Sequence, residues 1–137
     1  MLEISVTQEQ GHVPVTVMHL KGDLDSAGSE VFDARSQEIV AAGARNVLIN
    51  LTHVPFVSSA GIRSIHRLFY QLHPEGSDEH KRIMDEGIRK GTYKAPHLKL
   101  FNPSPRVFNL LEMMSMDMYI DILTGKETEL KEVIAVF

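Results

Sequence analysis

The run Val47-Leu48-Ile49-Asn50-Leu51 constrains this chain more than any other stretch. It is short, almost continuously apolar and rich in branched side chains. Such runs are typical of strands buried on both faces of an α/β sheet. The flanking patterns agree. Before it, Phe32, Ile39 and Ala42 recur at helical spacing, with Val31 and Ala34 beside them, Ser26 as N-cap and Gly43 as a left-handed stop. After it, Ile62, Ile65, Phe69 and Leu72 form an apolar stripe on a helix starting at Ser58 or Ser59.

The rest extends this rhythm. Leu2, Ile4 and Val6 alternate as in a half-buried strand, and Gly11 marks a turn. Val13, Val15 and Val17 then alternate with Thr16, Met18 and Leu20, a second strand apolar on both faces. Leu98 to Phe101 reads as a further strand. Ser104 as N-cap with Pro105 at the first helical position opens a helix whose buried face is Val107, Leu111 and Met114. Tyr119 to Leu123 reads as the last strand. Thr124 to Phe137 reads as the last helix, with Leu130, Val133, Ile134 and Phe137 as its stripe. The predicted order is β-β-α-β-α-β-α-β-α: a small mixed sheet, an opening antiparallel hairpin followed by parallel strands, with helices on at least one face. A length of 137 residues predicts one domain, 1–137. Residues 73–96 are too long and too charged for a simple connection and predict an inserted, mostly exposed helix starting near Ser77.

Several functions are disfavoured. No apolar run approaches the roughly 20 residues of a membrane span. The first residues lack a basic stretch followed by an apolar one, so a cytoplasmic protein is expected. There is no cysteine, hence no disulfide framework, thiolate nucleophile or Cys-based zinc site. A net charge of −4 argues against bulk nucleic-acid binding. Phosphate-loop, dinucleotide and HExxH signatures are missing, and the seven histidines are scattered, so neither cofactor nor metal is expected. The cluster Met113, Met114, Met116 and Met118 reads as core filling in preference to an adaptable binding face.

Two segments stand out. Gly22-Asp23-Leu24-Asp25-Ser26 ends the second strand, and an extended backbone would point Asp23 and Asp25 to the same side. Turn chemistry and capping explain Ser26 well, but two acids at one strand end less well. The second is Val54-Pro55-Phe56-Val57-Ser58-Ser59-Ala60-Gly61-Ile62-Arg63, running into a helix N-terminus. Free N–H groups and the helix dipole there favour an anion, such as a phosphate on a serine. A plain serine N-cap explains the same residues equally well.

The pair GDLDS and NLTHVPFVSSAGIR, in this order and at this spacing, resembles the STAS domain, specifically its anti-sigma factor antagonist branch. Asn50, Leu51, Val54, Phe56, Val57, Ser59, Gly61 and Ile62 match that family's run from the third strand into the second helix. The resemblance implies a regulatory phosphoserine two residues before the motif glycine, which here is Ser59, with Ser58 as second choice. Ser58 stands where relatives often carry Asp, and Ala60 where many carry Ser or Thr. The resemblance further implies a partner-binding face of Asp23, Asp25, Ser58, Ser59, Ala60, Gly61 and Arg63. The implied partners are an anti-sigma factor or histidine-kinase-like serine kinase and a PP2C-type phosphatase. The chain would bind the former while Ser59 is unphosphorylated and release it once phosphorylated. The alternative is a non-phosphorylated STAS scaffold or sensory, ligand-binding module. An enzyme using Ser59 as nucleophile, His66 as base and Asp23 as orienter is disfavoured. Two helical turns separate Ser59 from His66 by roughly 10 Å, against the roughly 3 Å that base catalysis needs.

Overall fold

The structure, a computed structural model, describes residues 1–72, 82, 85–87, 89, 95–126 and 129–137. Strands β1 (Glu3–Gln10) and β2 (Pro14–Lys21) form the opening hairpin. Next come α1 (Ser26–Ala41), β3 (Val47–His53), α2 (Ser59–Gln71) and β4 (Leu98–Phe101). Then follow α3 (Pro105–Met113), a 3-10 turn (Met116–Met118), β5 (Asp121–Leu123) and α4 (Leu130–Ile134). The strands lie in the order β1-β2-β3-β4-β5, antiparallel between β1 and β2 and parallel thereafter. This is the mixed sheet and the element order that the periodicities predict.

Alternation along the strands divides the core into two layers. Met18, Leu20, Val47, Ile49, Leu51, Leu98 and Leu100 face Phe32 of α1, Ile65, Leu68 and Phe69 of α2, and Val107 and Leu111 of α3. Full burial of each such side chain is worth about 1.5–3 kcal/mol. On the other face Val15, Val17, Leu48 and Phe101 meet Val133 and Ile134 of α4. So β3 is covered on both sides, as its unbroken apolar run requires. Lys99 is also buried on this second face. Its Nζ lies 3.0 Å from Asp121 Oδ2 and 5.2 Å from the Phe137 ring centroid, contacts that offset the cost of burying an ammonium.

Three expectations need correction. Met113, Met114 and Met118 are 80%, 50% and 44% exposed, and only Met116 of that cluster is buried. Helix α3 ends at its C-cap Met114, and Ser115 takes a left-handed φ of 59°, so the helical stripe stops there. The segment expected to begin the last strand at Tyr119 instead closes the 3-10 turn, and β5 starts at Asp121. The last helix is shorter than 124–137, although its stripe packs as read. The helix expected within 73–96 falls largely outside the described residues. Of that segment Arg82, Asp85 to Gly87 and Arg89 are helical, and Tyr70 Oη donates to Asp85 Oδ1 at 3.2 Å.

Candidate functional site

The loops leaving β2 and β3 run side by side. Gly22, at a φ of 115° that only glycine adopts freely, turns the chain out of β2. Its N–H donates to His53 O at 3.1 Å, Leu24 N–H to Phe56 O at 2.9 Å, and Ser58 N–H to Leu24 O at 3.0 Å. These bonds make a parallel bridge between Leu24 and Val57, whose side chains are buried beneath it. The two segments singled out in the sequence are therefore one structural unit.

Within that unit the polar residues divide the work. Asp25, in extended conformation, caps α1: its Oδ1 accepts from Gly28 N–H at 2.8 Å. Ser26, the cap expected from the sequence, is the first helical residue instead. A carboxylate is the stronger acceptor for a free helix N–H. Asp23 is left as the exposed acid beside the loop. Ser58 caps α2, its hydroxyl accepting from Gly61 N–H and donating to Leu24 O, both at 3.4 Å. Ser59 opens the helix. It is exposed, and its hydroxyl makes no hydrogen bond among the described residues. Ala60 is half-buried and Gly61 buried, while Arg63 is exposed one turn beyond Ser59.

The rim also joins Phe56, part of the motif run, to Arg106, which lies outside both segments. Phe56 is 40% exposed, and the Arg106 guanidinium lies 6.0 Å from its ring centroid. With Pro55, Val57, Val107 and Leu110 they line a hollow of about 230 Å³ beside the β3–α2 loop. An aromatic after proline in a loop was the available signal, but its pairing with the start of α3 is set by topology.

His66 takes no part in this face. Its Nδ1 lies 2.9 Å from Tyr119 Oη, and its ring packs edge-on against Tyr70 and Tyr119. Burial lowers its pKa, partly opposed by the charge of Asp85. Burial, aided by Tyr70, pushes the Tyr119 phenol up to about 12. Among the described residues no three His, Asp or Glu side chains converge so as to hold a metal ion, and no helix is long and apolar enough to cross a membrane.

A mixed five-stranded sheet with a helix N-terminus set against the preceding loop defines a known class. A family model of the STAS domain matches residues 4–78, and the chain belongs to that family. Among solved structures it is similar to an anti-sigma factor antagonist from Mycobacterium paratuberculosis, at 15% identity and a TM-score of 0.69, covering 98% of this chain and 95% of that one. It is also similar to the anti-sigma factor antagonist SpoIIAA in its unphosphorylated form, at 16% identity and a TM-score of 0.60, covering 96% and 97%. The phosphorylated form of the Bacillus cell fate determinant SpoIIAA gives 18%, 0.59, and 95% and 99% coverage. These likenesses place the fold. No curated protein matches the chain in sequence.

Proposed function

We propose that this chain is a phospho-switchable protein-interaction module acting as an anti-sigma factor antagonist. Unphosphorylated, it binds an anti-sigma factor or histidine-kinase-like serine kinase through the face around Asp23, Ser59 and Arg63. Phosphorylation of Ser59 releases the partner, and a PP2C-type phosphatase resets the switch. The observation that carries this reading is the contrast between two adjacent serines. Ser58 is tied down as a helix cap, whereas Ser59 presents an exposed, unengaged hydroxyl in the first turn of α2.

The physics suits a switch. A phosphate adds about −1.5 to −2 charges at the centre of the face. The α2 dipole and Arg63 favour that charge, so the fold is kept while a partner shaped for a neutral serine beside Asp23 is repelled. Each 1.4 kcal/mol of lost affinity is tenfold. The test is a pull-down from source cells that compares wild type with Ser59→Asp and Ser59→Ala and identifies the captured partner by mass spectrometry. Binding lost in Ser59→Asp and kept in Ser59→Ala supports the switch; equal capture by all three sinks it.

A further inference from the structure

A second feature lies at the opposite end of the sheet from Ser59. The C-terminal turn of α1, residues 43–46 and the start of β2 enclose a hollow of about 610 Å³. That is within the roughly 300–1,000 Å³ of small-molecule sites. Val13, Ile39 and Ala42 give it an apolar floor, and Arg35, Glu38 and Arg45 stand on its rim. Its wall is pinned in place. Asn46 Oδ1 accepts at 2.9 Å from His97 Nδ1 in the matching tautomer, and Thr16 N–H donates to Asn46 O at 2.8 Å.

The charges on that rim do not balance. Arg35 pairs with Glu38 through one terminal nitrogen at 2.8 Å, while its Nε is buried without a partner among the described residues. An unpaired buried N–H is unfavourable, so the side chain gains by turning that edge to an acceptor. Arg45 makes no hydrogen bond or ion pair among the described residues. The hollow thus joins an apolar floor to a cation left unpaired among the described residues and to spare guanidinium donors. We propose that it binds a small amphipathic carboxylate, its head on Arg45 and Arg35 and its short apolar body over Val13, Ile39 and Ala42. A guanidinium fork matches a carboxylate in geometry and in charge. The site is independent of Ser59, though α1 spans both: Asp25 caps it at one end and Ala42 lines the hollow at the other.

The test titrates the full chain with octanoate, octylamine and acetate and follows backbone amides by NMR. Octanoate is expected to shift the amides of residues 42–46 and of Thr16 saturably. Octylamine shares the body and acetate the head group, and neither should reproduce this. Arg45→Glu is expected to weaken octanoate by about tenfold or more, the loss of a charge-assisted contact. If its spectrum shows loss of fold, Arg45→Gln takes its place with the same readout. Equal response to octanoate and octylamine, shifts confined to other regions, or undiminished binding by the folded Arg45 variant would overturn the proposal.

Discussion

Gly61 packs its Cα against the carbonyl oxygen of Leu24, so close that a Cβ on Gly61 would overlap it. The same added carbon would meet Leu24 Cγ at 2.8 Å and Val57 Cγ1 at 3.0 Å. This is the physical reason for a glycine there. It lets the first turn of α2 lie directly on the β2–α1 loop, against Leu24. Gly61→Ala must push the loops apart and is expected to cost about 1–3 kcal/mol, as overpacking does. A urea midpoint equal to wild type would show that the contact relaxes freely.

The two serines should respond differently to truncation. Ser58→Ala removes the α2 cap and is expected to cost about 0.5–1 kcal/mol, toward the lower end for caps because both its hydrogen bonds are long. Ser59→Ala removes an exposed hydroxyl and should stay within about 0.5 kcal/mol of wild type. After kinase treatment, mass spectrometry should place the phosphate on Ser59. Phosphate found only on Ser58 would reverse the assignment.

Ile65 and Phe69 are buried where α2 meets the sheet. Either Ile65→Ala or Phe69→Ala is expected to destabilise the fold by about 2–5 kcal/mol. Chemical denaturation measures this directly, and a loss below 1 kcal/mol would contradict the packing.

Acid should weaken the fold through two histidines. Burial lowers the pKa of His66, and burial together with the charge of Arg45 lowers that of His97. The unfolded chain therefore binds more protons than the folded one between the lowered values and the ordinary 6.5. Stability should be full above 6.5, fall as the pH drops below it, and level off below the folded-state values with respect to these groups. Replacing both with glutamine should flatten that part of a stability–pH curve. An unchanged slope in the double variant would assign the acid sensitivity elsewhere.

Much of this molecule was legible in its sequence because hydrophobic period reports burial directly. Val47 to Leu51 had to be an inner strand, and Ile65 and Phe69 had to face it. Val15 and Val17 against Met18 and Leu20 predicted a strand covered on both sides, and the C-terminal stripe of Leu130, Val133 and Ile134 supplies the second cover. Local chemistry also sufficed at Gly43, whose φ of 101° is the left-handed stop expected.

Tertiary structure alone decided what depends on partners distant in sequence. Both Asp25 and Ser26 are good caps, and both Ser58 and Ser59 are good helix starters. Which hydroxyl stays free followed from Ser58 lying against Leu24 O. The methionines of residues 113–118 looked like core because their side chains are apolar. The backbone reversal at Ser115 left three of the four in solvent, and no local pattern marks that reversal. Periodicity is a property of one segment and survives in the sequence. Hydrogen-bond competition and the point where a helix stops being covered are properties of two segments in contact, and they exist only once the chain has folded.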